Sequence, residues 1–309
     1  MSAAACAVRA FQAVADAGWR GRMVYGVLYG LLKLVQPRRE RIDANLRLVW
    51  PERDAAWRRA FRARVYQNLA WTVTEVLALQ RDPGQASSWI SGVEGRSILD
   101  ELAEGGQGAI LLTGHFGNWE LLGTWYAQVL KAKGRQLYAV FQEIHDRDLS
   151  GVLKGFRERG GISVLPKEMS VLEMAHRLRA GAHIAILADV SWLEGALTLP
   201  FMGHECTNSP GPAILAMLAS VPIVPLGIYR RGPFEHGVRV FPPLSIPGQG
   251  SRAERIGGGT LAINRALEAI IAPRPELWFW LHDRWKSRPL SRQTVVKDGA
   301  AEKSPVCPV

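Results

Sequence analysis

The sequence predicts an α/β domain with a mostly parallel central sheet flanked by helices. Three observations carry that reading. From residue 108 onward, short apolar runs such as Gly-Ala-Ile-Leu-Leu-Thr at 108–113 alternate with helical segments, the rhythm of β-α-β units. The chain has 309 residues, enough for one large domain with a sizeable core. Hydrophobic residues make up 48% and charged residues 21%, which excludes a disordered chain, and there is no internal repeat.

Taken in order, residues 1–36 read as helix with weak caps. Within them, Met-Val-Tyr-Gly-Val-Leu-Tyr-Gly-Leu-Leu-Lys-Leu-Val-Gln at 23–36 is the longest apolar run. It falls short of the roughly 20 apolar residues that a spanning helix needs. Arg20 and Arg22 flank it, Lys33 lies inside it, and Pro37, Arg38, Arg39 and Arg41 follow. That pattern fits a helix lying in a membrane interface, the alternative being a core helix. No secretory signal is recognisable. Residues 38–50 read as a second helix ending before Pro51. Residues 54–79 form a long amphipathic helix with Trp57, Phe61, Val65, Leu69, Val76 and Leu79 along one side and Thr72 filling the gap. Its arginines, Arg58, Arg59, Arg62 and Arg64, read either as a solvated face or as an anionic contact surface.

Strands are then expected at 108–113, 136–141, 162–165, 182–188, 221–229, 238–241 and 277–281. Helices are expected at 119–131, 149–159, 170–180, 210–218 and 259–271. The three glycines at 257–259 read as a flexible loop, and the polar residues 287–309, with Pro305 and Pro308, as a loose tail. The organisation is therefore an interfacial region at 1–36, a catalytic-type domain at 37–286 and a tail at 287–309.

Lys and Arg number 38 against 28 Asp and Glu, a formal net charge of +10. Such a surface attracts acidic partners, and eleven Trp make lipid one of them. Nucleic acid is not expected, because no basic-aromatic platform or recognised module is present. Cys6, Cys206 and Cys307 are scattered, so neither a disulfide scaffold nor a Cys-based zinc site is expected. No cluster has metal-ligand spacing, and no Walker or dinucleotide loop occurs, so no metal or cofactor is expected.

The most informative stretch is Thr113-Gly114-His115-Phe116-Gly117-Asn118-Trp119-Glu120. It joins a buried strand to a helix at the sheet edge where open α/β sheets bind ligands. Gly114 and Gly117 permit a sharp turn and close ligand approach. Asn118 is suited to cap the helix, with Glu120 in its first turn. A carboxylate five residues beyond the histidine can fold back, fix the imidazole tautomer and leave the other nitrogen to take a proton from an alcohol. Nearby helix N-terminal amides are candidates for holding an oxyanion. A structural His–Glu hydrogen bond is the competing reading.

These residues resemble the H-x4-D/E block of membrane-associated glycerolipid acyltransferases. They are most similar to the bacterial lipid A late acyltransferases (the lauroyl and myristoyl transferases), whose form carries Glu. Further similar pieces follow in order: Arg-Arg-x-Arg-Ile-x-x-Asn-Leu at 38–46, a helix with Asn68 and Glu75, Arg157 with Gly160, and Leu187-Ala188-Asp189. Beyond these come Pro-Phe-Met-Gly at 200–203 with Thr207, Gly211 and Ala213, Val-Pro-Ile-Val-Pro at 221–225, and His-Asp-Arg-Trp-Lys at 282–286.

The resemblance implies a glycerolipid-acyltransferase-like fold at the cytoplasmic face of the inner membrane. It implies transfer of a fatty acyl chain from acyl carrier protein or acyl-CoA to a hydroxyl of a membrane glycolipid such as a lipid A precursor. His115 would be the general base, oriented by Glu120. Gly117, Asn118, Gln142, Arg157, Asp189 and Arg284 are the candidate substrate-binding residues. The anionic membrane surface, the carrier protein and lipid phosphates would meet the basic surface. Gln142 stands where much of the family has Arg, and Val190 where the family often has Gln. A neutral amide at 142 cannot pair bidentately with phosphate. The alternatives are an acyl-CoA-dependent enzyme for a phosphatidylinositol mannoside or another glyceroglycolipid, and a non-catalytic lipid-binding homologue.

Among the other residues, Asp189 ends a buried strand at the same edge as His115, where it would shape the acceptor pocket, orient a basic residue or cap a turn. Arg157 would hold an anion or belong to an exposed face with Lys154 and Arg159. Arg284 would clamp anionic substrate. His145 and His236 read as loop bystanders, and His204 as a residue that could line the site.

Overall fold

The computed structural model describes residues 2–141, 146–166 and 168–286. Four helices come first: α1 (Ala3–Val14), α2 (Trp19–Val35), α3 (Arg39–Val49) and α4 (Ala55–Arg81). The helix expected over 1–36 is broken at 15–18. There the Asp16 side chain accepts the amides of Gly18 and Gly21 at 2.8 and 3.2 Å, which competes with helical continuation. The Asp54 carboxylate caps α4 by accepting the Trp57 amide at 2.7 Å. Helix α2 packs on α4, with Tyr25 stacked on Trp71 at 3.9 Å between ring centroids. None of the described helices is long and apolar enough to cross a membrane.

The strands are β1 (Ile90–Glu94), β2 (Ala109–Thr113), β3 (Leu137–Phe141), β4 (Ile162–Pro166), β5 (His183–Leu187), β6 (Leu197–Phe201), β7 (His204–Asn208), β8 (Ile223–Gly232) and β9 (Glu235–Val240). Between them run α5 (Arg96–Glu104), α6 (Trp119–Lys131), α7 (Arg147–Arg159), α8 (Val171–Arg179), α9 (Gly211–Ala219) and, after β9, α10 (Arg252–Ile271). Seven strands form one sheet in the order β1-β9-β8-β2-β5-β3-β4. β8, β2, β5, β3 and β4 are mutually parallel, while β9 runs antiparallel to β8 and parallel to β1. The five residues of β2 are all buried, as a strand covered by helices on both faces requires. One apolar core lies on each side, the first around Phe61, Phe116 and Trp280 and the second around Trp125, Tyr126 and Phe156.

The strand and helix rhythm from 108 to 271 agrees with the expectation within a few residues, apart from the β6–β7 hairpin and the start of α10. The departures have physical reasons. β1 is a half-exposed edge strand of Ile-Ser-Gly-Val-Glu, which carries no apolar run. The β6–β7 hairpin turns at Met202 and Gly203, both with positive φ, and methionine gives no turn signal there. Gly257, Gly258 and Gly259 lie inside α10, not in a loop. A Cβ on Gly259 would meet the Ala213 Cβ at 3.2 Å, so the missing side chain permits close packing on α9. No strand forms at 277–281. A 3-10 turn, Pro275–Leu277, leads instead into an irregular segment, whose amides and carbonyls are taken up by the turn after β2.

Candidate active site

The turn after β2 is held from three sides. Gly117 has φ of 59°, and its amide donates to the Leu277 carbonyl at 2.9 Å. A Cβ there would meet the Ile228 carbonyl oxygen at 2.1 Å, so the close approach that this glycine permits is by β8, not by a ligand. The Thr72 hydroxyl of α4 donates to the Gly117 carbonyl at 3.1 Å. The Phe279 amide donates to the His115 carbonyl at 2.9 Å.

His115 stands partly exposed on this turn, and the carboxylate that meets it is Asp189. The His115 Nδ1 lies 2.8 Å from Asp189 Oδ1. Asp189 Oδ2 accepts the His115 backbone amide at 2.7 Å and the Trp278 indole N–H at 2.8 Å. Burial alone would push the Asp189 carboxyl up, but the neighbouring imidazoles and the indole donor hold it well below the usual carboxylate range. An ionised Asp189 makes Nδ1 the donor and leaves the Nε2 lone pair for a substrate proton. Of the readings open for Asp189, orientation of a basic residue is therefore the one its contacts support.

The Glu120 carboxylate is directed away from the histidine, to Arg157. From the first turn of α6 its carboxylate reaches α7, where it accepts from Arg157 Nε at 3.0 Å and Nη2 at 2.5 Å. The Trp119 indole donates to it at 3.2 Å. This fork-to-fork pair is largely buried, and Arg157 also lies over the Phe141 ring at 5.3 Å. Burial would lower the Arg157 pKa, but Glu120 outweighs it and holds it above its ordinary value. Arg157 is thus neither a free anion clamp nor an exposed residue.

Three further expectations are revised by burial. Arg284 is fully buried. It donates to the carbonyls of Val190 and Thr207 at 3.2 and 2.8 Å and to Asn208 Oδ1. It therefore ties the β6–β7 hairpin to the end of β5. Asn118 is also fully buried. It caps α6 as expected, its Oδ1 accepting the Leu121 amide at 3.0 Å, while its Nδ2 donates to Glu75 at 2.9 Å. His236 belongs to β9, where its Nε2 lies 3.1 Å from Glu75 Oε2. Gln142 and His145 lie outside the described residues.

Two groups that the sequence offers only as parts of family-like motifs, with no role assigned, prove to be central. His282 packs edge-on to His115 at 4.6 Å between ring centroids, and burial pushes its pKa down to about 4. Glu75 is fully buried and accepts from Arg230, His236, Asn118 and the Phe234 amide. Neither has a local spacing signal, because their partners lie more than 40 residues away in sequence. His115, Asp189 and His282 also bring ligand-type atoms within 4.8 Å of one another. Both Asp189 oxygens already accept N–H donors, so the arrangement suits an oriented base rather than a coordination sphere.

Beside this dyad an apolar cavity runs between α6 and the sheet. It is lined by Thr113, Trp119, Glu120 and Arg157 at one end and by Tyr126, Leu137 and Ile162 at the other. The Trp119 ring lies 5.1 Å from the imidazole. The sequence profile of the family described as bacterial lipid A biosynthesis acyltransferases matches residues 22–287. The chain belongs to this family. Among relatives, the phosphatidylinositol mannoside acyltransferase of Mycolicibacterium smegmatis is 28% identical over 198 residues, covering 59% of this chain and 58% of the relative. The Mycobacterium tuberculosis protein of the same description is 26% identical over 201 residues, covering 62% and 59%. The chain thus spans about three fifths of the length of these curated relatives.

Acid should destabilise this family member early. His183 is buried, and burial lowers its pKa to about 4, as for His282. Between about pH 6.5 and 4 the unfolded chain binds protons at these two sites that the folded chain does not, so stability falls with pH. Glu75, held at about 2 by Arg230 and His236 against the opposing cost of burial, extends the loss below pH 4.5. Thermal melts should show Tm decreasing steadily from pH 6.5 to 4. A flat Tm over that window would contradict the neutral, buried histidines.

Proposed function

We propose that the chain is an O-acyltransferase that moves a fatty acyl group from a thioester donor to a hydroxyl of a membrane glycolipid. The carrying observation is a histidine whose Nδ1 is anchored to a buried carboxylate, beside an apolar cavity. The acceptor hydroxyl gives its proton to His115 Nε2 as its oxygen attacks the thioester carbonyl carbon. The C–S bond then breaks, and the leaving thiolate takes that proton back from the imidazolium. Asp189 fixes the tautomer and stabilises the imidazolium. The Glu120–Arg157 pair joins α6 to α7 at the cavity mouth. The donor is acyl carrier protein or acyl-CoA.

Two acceptors are in view, a lipid A precursor and a phosphatidylinositol mannoside. We favour the mannoside. The named relatives are phosphatidylinositol mannoside acyltransferases. Purified protein should be given each acceptor with either donor, and the products analysed by mass spectrometry. Acylation of the lipid A precursor alone would reverse the choice.

The site would work at the cytoplasmic face of the inner membrane. Trp19, Met23, Val27, Leu31 and Leu34 recur every three or four residues along the exposed side of α2, with Leu34 80% and Trp19 66% exposed. Arg20, Arg22, Lys33 and Arg38 collar them, a pattern suited to anionic headgroups. The opposite side of α2 packs on α4, so deleting residues 1–36 would damage the fold as well as the ridge. Trp19→Asp with Leu34→Asp should instead release the protein from phosphatidylglycerol vesicles while Tm holds. Undiminished pelleting of this variant would refute an α2 membrane face.

A further inference from the structure

A second cavity, of about 440 Å³, lies between α1, the end of α4 and α7. It shares no lining residue with the cavity beside His115. Helix geometry separates the two. At about 100° per residue, Arg147, Asp148, Gly151, Val152 and Arg159 fall on one side of α7, and Arg157 falls on the other. Thus α7 gives Arg157 to Glu120 and turns a different face towards α1. Helix α1 is pinned at both ends. The amide of its N-cap, Ser2, donates to Asp148 at 2.6 Å, and Arg81 of α4 donates to the Ala15 carbonyl at 3.0 Å.

The walls of this cavity are rich in hydrogen-bond donors. Arg9 of α1, with Arg147 and Arg159 of α7, brings three guanidinium groups to it against one carboxylate, Asp148. Among the described residues, none of these three guanidinium groups has an acidic or carbonyl partner. Like charges gathered without counter-charge repel one another, so the arrangement gains from an anion. Gln80, at the end of α4, is 5% exposed, and its Oε1 is buried without a partner. Its amide has N–H donors for an anion and an oxygen for a neighbouring hydroxyl. Gly151 keeps the space open. A Cβ there would meet nothing within 4 Å. Packing therefore does not call for glycine at this position, and a glycine inside a helix is destabilising.

We propose that this cavity binds a phosphate ester, its oxygens held by Arg9, Arg147 and Arg159 and a neighbouring hydroxyl held by Gln80. The planar guanidinium fork suits phosphate oxygens in pairs. A bound phosphate would tie α1 to α7. Only residues 15–18 separate α1 from α2, whose exposed side begins at Trp19. Two sources offer the same group, the headgroup of an anionic phospholipid and a soluble phosphate ester. The site uses none of the residues that carry the acyl-transfer reading, so the two stand or fall separately.

Titration calorimetry of the full chain with glycerol 3-phosphate should show binding that weakens as salt is added. Arg9→Gln and Arg159→Gln should each weaken it about tenfold or more, the loss expected for a hydrogen bond to a charged group. Gly151→Glu should abolish it, because the new carboxylate fills the space and repels the ligand, whereas Gly151→Ala should keep it. Both replace a helical glycine that has room for a side chain, so neither should lower Tm. Arg252→Gln, which removes an exposed charge from α10, should bind as the native protein does. Short-chain phosphatidylglycerol below its micelle concentration identifies the source. Binding about tenfold tighter than glycerol 3-phosphate marks a lipid headgroup, and equal or weaker binding marks a soluble ester. No binding of either probe by the native protein up to roughly 10 mM would overturn the proposal. Native affinity in folded Gly151→Glu and in both arginine variants would overturn it too, because the phosphate would then sit elsewhere.

Discussion

Asp189→Asn should lower kcat for acyl transfer nearly as far as His115→Ala, with little change in KM for either substrate. General-base catalysis supplies roughly 10²–10⁴-fold, and His115→Ala removes it outright. Asp189→Asn keeps the volume but presents an amide to the His115 ring and backbone amide, both of which now meet a carboxylate. The tautomer is then no longer fixed, and the imidazolium loses its counter-charge. Glu120→Gln should behave differently, because it leaves the buried Arg157 without its ion pair. Its main effect should be a lower Tm, with activity lost through the fold. Steady-state kinetics and melts on the three variants check this. If Asp189→Asn retains native kcat while Glu120→Gln loses it at unchanged Tm, the orienting carboxylate is Glu120 after all.

The second large effect is expected in the buried network behind the His115 turn. Glu75→Ala would strip the partner from Arg230 and leave His236 and Asn118 without their shared acceptor. Removing one member of a buried ion pair typically costs about 3–5 kcal/mol. For a domain of this size each kcal/mol lowers Tm by about 2–4 °C. A fall of roughly 6–20 °C is therefore expected by calorimetry, with Glu75→Gln intermediate because it can still accept hydrogen bonds. A change of less than about 2 °C would mean that water replaces the carboxylate and that the network does not support the α6 cap.

The fold was legible wherever local pattern decides structure. Buried strands such as Ala109–Thr113 are apolar throughout, and Asp54, Asn118 and Ser170 each cap the helix that follows. His115 was legible because a histidine between glycines at a strand end has few structural uses. The partner of that histidine was not. Asp189 lies 74 residues away and reaches His115 only because β5 lies beside β2 in the sheet. The spacing from His115 to Glu120 suggested a contact, but the first turn of α6 directs Glu120 towards Arg157. Arg284 misled in the same way. A cation near a site looks like a substrate clamp until its carbonyl partners are known.

The segment that braces the turn after β2 is the last described part of the chain to be made. Leu277 and Phe279 hold the turn by backbone bonds, Trp278 holds Asp189, and Asn45 fixes the carbonyls of Trp280 and His282 from 235 and 237 residues away. On a ribosome, His115 and Asp189 emerge long before the segment that immobilises them. A nascent chain with α6 and β5 already formed would have His115 and Asp189 but no fixed geometry between them. Closing loops this long is slow. Catalytic competence would therefore arise in one late step, when the last described residues dock between α3 and the β2 turn, rather than growing as the sheet is laid down.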